Sequence, residues 1–306
     1  MKVWIAHERG RDLVGALPDE VALEVCTEVA AAPSDPADVE FWVPPFLSAG
    51  ESSAFVPRLR RLRVVQLLSA GADAWVDRLP PRVGLHDARG VHDPSTAEWV
   101  LTATLSSLRR FGAFALAQER GQWANSANTP TDELTGKRVL LIGAGSIGRA
   151  IEARMAPFDV RLTRVARTAR PGVHGVDELP GLLPEAEIVV LVVPLTAQTR
   201  GLVDADFLAA MPDGALLVNA ARGPVVDTAA LLAAVASGRL RTALDVTDPE
   251  PLPAGHPLWR LPNVLITPHV GGAVRGLLPR AYELVGAQLR RFVAGEPLVN
   301  RVVDGY

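Results

Sequence analysis

The hexapeptide Gly143-Ala144-Gly145-Ser146-Ile147-Gly148 constrains this chain more than any other stretch of it. It follows the apolar run Val139-Leu140-Leu141-Ile142 and opens a helix-like segment from Arg149 to Met155. Strand, glycine turn and helix, in that order, are the context that a dinucleotide-binding fingerprint requires. Gly143 permits the tight turn, Gly145 lets a pyrophosphate approach the backbone, and Gly148 lets the helix pack closely on the strand. The helix start at Ser146 and Ile147 then offers amide protons and a partial positive charge to phosphates. Glycine turns also serve plain strand-to-helix packing, so the nucleotide reading leans on both flanking elements.

A chain of 306 residues exceeds the usual size of a single core, which predicts two domains. Its hydrophobic fraction of 48% and charged fraction of 21% are those of a water-soluble globular protein. The net charge of -3 carries no signal for nucleic acid or for a membrane surface. Cys26 is the sole cysteine, so neither an internal disulfide nor a cysteine-based metal cluster is possible, and no metal site is expected. It follows the apolar run Val21 to Val25, as a buried, inert thiol does. The first residues become charged too soon for a signal peptide, and no apolar run approaches the roughly 20 residues that span a bilayer. A cytoplasmic location is therefore expected.

Short apolar segments alternate with helix-length gaps along the whole chain, the pattern of β-α units around parallel sheets. In the first part the strand candidates are 2–6, 21–26, 40–43, 64–68 and 83–87. After the glycine turn they are 160–165, 188–193, 216–219, 242–246 and 264–267. The run Ile188-Val193 is apolar at every position, as in a central strand covered on both faces. Between the two sets, a long helix is expected from Ser95 to about Phe114, with Ser95 as N-cap and Glu98 at capping-box spacing. An amphipathic helix is expected over 279–292.

Three charged residues stand just after strand candidates of the second set: Arg222, Glu250 and His269. In open parallel sheets, ligands bind outside the carboxyl ends of the strands, so the three converge on one crevice with the nucleotide. Their chemical types fit one reaction. A guanidinium grips a carboxylate bidentately, and a histidine exchanges a proton with a carbonyl or hydroxyl oxygen near neutral pH. A carboxylate beside that histidine orients it and favours its charged form. Beside a nicotinamide, this is the equipment for reducing a 2-keto acid. Singly, each residue has a plainer reading: a strand-end cap for Arg222, a loop histidine for His269, a surface acid for Glu250.

Four ordered motifs resemble the D-isomer-specific 2-hydroxyacid dehydrogenases. They are Leu134-Thr135-Gly136-Lys137 through Gly148, Asn219-Ala220-Ala221-Arg222-Gly223, Leu244-Asp245-Val246 with Glu250-Pro251-Leu252, and Thr267-Pro268-His269 with Gly271-Gly272. Weaker matches at 68–73, 88–92 and 291–298 extend the resemblance over nearly the whole chain. The pattern is closest to glyoxylate/hydroxypyruvate reductases.

The resemblance implies two Rossmann-like, doubly wound parallel-sheet domains of the α/β class, the nucleotide domain inserted into a flavodoxin-like substrate domain. Residues 1–98 and 280–306 would form the substrate domain and 99–279 the NAD(P)-binding domain. It further implies that Arg222 binds the substrate carboxylate, that His269 is the general acid and that Glu250 is its partner. Ala70 and Gly71 would offer backbone amides to the carboxylate. Asp245 would meet the nicotinamide amide, while Pro194, Thr196, Ala220 and Gly271 would also line the cofactor. Family members are dimers, built through the helix after Glu98, so a homodimer is expected.

One position departs from the family. The aspartate that usually ends the second strand of the nucleotide domain, and bonds the ribose 2′-hydroxyl, is Ala166 here, followed by Arg167-Thr168-Ala169-Arg170. An acid there repels a 2′-phosphate, whereas a hydroxyl and two guanidiniums bind one. The expectation is a preference for NADP(H), with NAD(H) possible. The substrate expected is a small 2-keto acid, reduced to the D-2-hydroxy acid. Two alternatives stay open: a substrate of the phosphoglycerate kind, and a nucleotide-sensing, corepressor-like binding protein of the same fold. Formate dehydrogenases, which carry glutamine shortly before the active histidine, fit less well because Pro268 directly precedes His269.

Overall fold

Parallel strands build both halves of this chain. The computed structural model describes residues 1–46 and 48–303. The chain divides into two compact units, Met1–His92 with Val274–Tyr306, and Asp93–Ala273. The first break falls ahead of a helix that starts at Asp93, rather than inside it.

In the first unit, β1 (Lys2–Ile5), β2 (Ala22–Val25), β3 (Val39–Trp42), β4 (Val64–Gln66) and β5 (Gly84–His86) lie in the order β2-β1-β3-β4-β5, every pair parallel. This is the flavodoxin-like order. All five expected strands are present, their ends moved by one or two residues. Ala281, Tyr282, Val285 and Leu289 of the helix Leu277–Val293 pack with Val3, Ile5 and Phe41 on one face of the sheet. Trp4, Trp42, Phe55 and Leu59 fill the other. A sheet covered on both faces needs apolar side chains at successive positions, and Val3, Trp4 and Ile5 are all buried. Cys26 is buried directly after β2, where burial, reinforced by Glu24, pushes its thiol up to about 11.

The second unit carries seven strands: β6 (Arg138–Ile142), β7 (Arg161–Ala166), β8 (His174–Gly175), β9 (Ile188–Leu191), β10 (Leu216–Asn219), β11 (Arg241–Leu244) and β12 (Val264–Ile266). Their order is β12-β11-β10-β9-β6-β7-β8, again all parallel. Counted from β6 this is 3-2-1-4-5-6 with one strand added beyond the sixth, the doubly wound order whose switch point lies between β6 and β9. All four residues of β9 are buried, as its unbroken apolar pattern requires. Strand β8 was not anticipated, because two residues carry no periodicity.

The expected helix from Ser95 to Phe114 needs two corrections. It begins at Asp93, so Ser95 lies buried inside its first turn and does not cap it. It also ends at Leu108, and a second helix, Phe111–Glu119, follows. Between them Arg110 takes a left-handed conformation (φ 55°), which no helix can continue through. Apolar residues continue across the break in the sequence, at Phe111 and Phe114, so periodicity alone does not reveal it. Among the described residues, no helix is long and apolar enough to cross a membrane.

A buried polar chain fastens the tail of the first unit. Gln66 Nε2 donates to the carbonyls of Leu67 and Asp87, and its Oε1 accepts from Gln288 Nε2. Gln288 Oε1 accepts from the Val299 amide, and His86 Nδ1 donates to the Val299 carbonyl at 2.7 Å. Burial lowers the pKa of His86 below its ordinary 6.5. Its folded form therefore binds a proton more weakly than its unfolded form, and stability is lost as pH falls below about 6.5. The slope from this residue is at most about 1.4 kcal/mol per pH unit. Urea midpoints at pH 7.5 and 5.5 should differ less in His86→Asn than in the parent; an equal difference would remove His86 as a source of acid sensitivity.

Candidate active site

The carboxyl ends of the second sheet are level, and backbone bonds run along them from strand to strand. Ile142 pairs with Leu191, Leu191 with Asn219 and Asn219 with Leu244. Just past those ends, Gly143 N donates to Val165 O, Val192 N to Ile142 O, Ala220 N to Leu191 O, Asp245 N to Asn219 O and Thr267 N to Leu244 O, all at 2.9–3.1 Å. Every expected residue of the second unit belongs to a loop that leaves this edge, except the start of the helix Ser146–Met155.

At the switch point, the glycines do what their positions demanded. Gly143 has φ 120°, and a Cβ there would stand 2.5 Å from the Val192 carbonyl oxygen. A Cβ on Gly148 would collide with the Gly143 carbonyl, so only glycine lets the helix Ser146–Met155 reach the turn. Gly145 is exposed and serves as N-cap with no side chain bonded to the helix amides. That leaves Ser146 and Ile147 at an uncapped, positively polarised end, which suits a pyrophosphate. Ala166 is the last residue of β7, and Arg167, Thr168 and Arg170 beyond it are exposed. Arg170 Nη2 donates to the Ala144 carbonyl at 3.2 Å, which ties the basic loop to the glycine turn. The donor set on this edge thus fits a dinucleotide with an anionic group beyond its ribose.

Past β9, Thr199 Oγ1 donates to the Pro194 carbonyl at 2.6 Å and accepts from the Thr196 amide, folding Pro194 and Thr196 into one turn. Past β10, buried Asn219 shapes the next loop: its side chain accepts from the Ala221 amide and donates to the Arg222 carbonyl. Gly223 presses that loop against the main chain at Thr247, where a Cβ would have no room. The half-buried Arg222 guanidinium donates to the Ala221 carbonyl at 2.8 Å.

His269 and Glu250 form a pair, Nδ1 to Oε1 at 2.7 Å, with side chains 39% and 42% exposed. That bond occupies Nδ1 and leaves Nε2 to a ligand in reach of solvent. The His269 backbone is left-handed (φ 55°), at a cost of about 1–3 kcal/mol. Its loop is held by Asp245, which is 5% exposed. Asp245 Oδ1 accepts from Thr267 Oγ1 at 2.7 Å and from the Val270 amide at 2.8 Å, Oδ2 accepts from the Gly271 amide at 2.8 Å, and the Asp245 carbonyl accepts from the His269 amide at 2.7 Å. Any Cβ on Gly271 would press on Oδ2. Asp245 and Gly271 are expected from the sequence as cofactor residues, whereas this mutual clamp and the loop-holding bonds of Thr267 and Asn219 emerge only in the fold. The polar types of Thr267 and Asn219 inside recognised motifs were the available signal.

Ala70 and Gly71 follow β4 at the carboxyl edge of the first sheet, in a turn where Ser69 Oγ donates to the Gly71 carbonyl at 2.8 Å.

A doubly wound sheet with a glycine turn at its switch point and an Arg-Glu-His set on the same edge suits a nucleotide-dependent oxidoreductase. Residues 101–271 match the model of the D-isomer specific 2-hydroxyacid dehydrogenase NAD binding domain. A glyoxylate/hydroxypyruvate reductase A from Salmonella typhi is 32% identical over 285 residues, 88% of this chain and 87% of that protein. A D-isomer specific 2-hydroxyacid dehydrogenase from Xanthobacter autotrophicus, crystallised with NADPH and MES, superposes with a TM-score of 0.84 at 33% identity over 100% of this chain and 99% of that one. A probable 2-hydroxyacid dehydrogenase from Rhizobium etli, in complex with NADP, HEPES and L(+)-tartaric acid, gives 0.81 at 25% identity over 100% and 98%. The chain belongs to the D-isomer specific 2-hydroxyacid dehydrogenase family, whose members are NAD(P)-dependent oxidoreductases.

The packing at the glycine turn can be tested alone. Gly148→Ala should lose about 1–3 kcal/mol of stability, as overpacked sites do, because the added methyl meets backbone that cannot yield. Thermal melting with and without cofactor measures it; an unchanged melting temperature would mean that the turn relaxes freely.

Proposed function

We propose that this chain is an NADP(H)-preferring reductase of small 2-keto acids of the glyoxylate/hydroxypyruvate kind, yielding the D-2-hydroxy acid. The observation that carries the chemistry is the 2.7 Å His269–Glu250 pair on the edge that holds the glycine turn. In this reading Asp93–Ala273 is the nucleotide domain and the other unit the substrate domain. The Arg222 guanidinium grips the substrate carboxylate. Glu250 keeps Nδ1 of His269 protonated and the ring oriented, and Nε2 gives its proton to the keto oxygen. The bound cofactor supplies the hydride. Asp245 Oδ2 keeps room for one more donor, the nicotinamide amide, because a carboxylate oxygen accepts two.

Support for NADP(H) comes from Ala166 standing where an acid would repel a 2′-phosphate, with Arg167, Thr168 and Arg170 exposed beside it. It is joined by the NADPH and NADP named with the Xanthobacter and Rhizobium proteins. The Salmonella relative's name supports the substrate class.

The assay is oxidation of NADPH and NADH with glyoxylate and hydroxypyruvate. We expect kcat/KM with NADPH to exceed that with NADH, and Arg167→Ala/Arg170→Ala to reverse or abolish the difference. A ratio below one in the parent protein would sink the cofactor assignment. His269→Ala should lower turnover by roughly 10²- to 10⁴-fold, the usual range for a positioned acid-base group. Near-normal turnover would rule His269 out.

We also propose a homodimer through the second helix region. Phe111, Leu116 and Trp123 are 59%, 53% and 96% exposed, and large apolar side chains grouped on one segment mark an association surface. Sedimentation equilibrium should give twice the chain mass for the parent and the single mass for Phe111→Glu/Leu116→Glu. A parent monomer would refute the assembly.

A further inference from the structure

One chain of hydrogen bonds in the second unit is absorbed by neither the fold nor the proposed chemistry. Trp99 lies on the helix Asp93–Leu108 and donates its indole N–H to Thr267 Oγ1 at 2.9 Å. Thr267 Oγ1 stands 2.7 Å from Asp245 Oδ1. The polarity of this chain has no alternative. An indole nitrogen only donates and an ionised carboxylate only accepts, so the threonine hydroxyl must accept from Trp99 and donate to Asp245. Both of its roles are filled at once. Trp99 also packs over the loop: a Cβ on Gly271 would lie 3.4 Å from Trp99 Cγ.

The segment that this chain secures runs from Thr267 to Gly271 and carries His269 in its left-handed conformation. Asp245 alone could hold the Val270 and Gly271 amides. Its carboxylate, however, has a torsion of its own, and rotation would carry both amides and the His269 ring with it. The bond from Thr267 fixes that torsion, and the bond from Trp99 fixes the rotor of Thr267. A helix of 16 residues in a packed core thereby sets the bearing of a side chain that sits on a loop. Catalytic geometry needs such support, since a displacement of about 1 Å can cost about 10²-fold in rate.

We infer that Trp99 and Thr267 are positioning residues for His269, acting through the Asp245 carboxylate. This rests on the proposed role of His269 as the proton donor. The variant Thr267→Val keeps the shape and removes the hydroxyl, Trp99→Phe removes the indole N–H together with part of the ring, and Thr267→Ser restores the hydroxyl.

The expected result is a 5- to 50-fold fall in kcat for Thr267→Val and Trp99→Phe. Thr267→Ser should recover kcat to within about 2-fold of the parent. A purely structural role would lower the melting temperature and leave kcat of the folded enzyme unchanged. Unchanged kcat in both folded variants, or a serine variant as slow as valine, would overturn the inference. A second readout does not need turnover. In ¹⁵N-labelled protein the Val270 and Gly271 amide protons and the His269 ring nitrogens should shift together in Thr267→Val and return in Thr267→Ser. If the parent reduces no 2-keto acid, the proposed activity falls, and these resonances still decide whether the chain positions His269; unmoved resonances would overturn it.

Discussion

The level carboxyl edge of the seven-stranded sheet is the constraint on which the second unit depends. Parallel pairing brings the last residues of β6, β9, β10 and β11 into register. The main chain then continues the ladder one residue beyond each strand, through Val192, Ala220, Asp245 and Thr267. Loops that leave from a shared hydrogen-bonded line cannot shift independently. That is why glycine appears where two of them touch: Gly143 against Val192, Gly223 against Thr247, and Gly271 against the Asp245 carboxylate. In each case the missing side chain is replaced by a neighbour's backbone or by a buried charge, and close packing leaves no space for a methyl.

The polar groups on this edge divide into those that hold and those that reach outward. Asn219 and Asp245 spend their capacity on loop amides and carbonyls, and Thr267 on the Asp245 carboxylate and the Trp99 indole. Arg167, Thr168, Glu250 and His269 remain open to solvent in whole or in part. Buried groups must be satisfied within the protein, because an unpaired one costs about 1–3 kcal/mol. Exposed ones are available to a ligand. The His269–Glu250 bond shows both habits in one residue, with Nδ1 committed and Nε2 uncommitted. The left-handed backbone of His269 is tolerable for the same reason, since bonds from three successive amides to Asp245 outweigh a modest conformational cost.

Much of the site was legible in the chain because its chemistry is carried by short local motifs. The strand-turn-helix around Gly143 needs only neighbours in sequence, and its outcome was plain before any fold was known. Arg222, Glu250 and His269 could be named because each follows a recognisable apolar strand. The helical break at Arg110 was not legible, since apolar periodicity runs through it and the left-handed turn leaves no trace in residue type. Strand β8 escaped for a similar reason, being two residues that pair with β7 only once the sheet exists. The role of Trp99 was invisible too: 168 residues separate it from Thr267.

The sequence by itself determined the α/β class, the nucleotide turn, the family and the missing acid at Ala166. These depend on residue types at fixed spacings and on backbone rules that act within a few residues. Only the tertiary structure decided which polar side chains hold the loops and which face solvent. That division depends on what each atom meets across the sheet edge, and the partners come from strands and helices far apart in the chain. Asp245 shows the difference most clearly. Its motif suggested a cofactor contact, while its buried position gave it a second task, clamping the loop that carries His269.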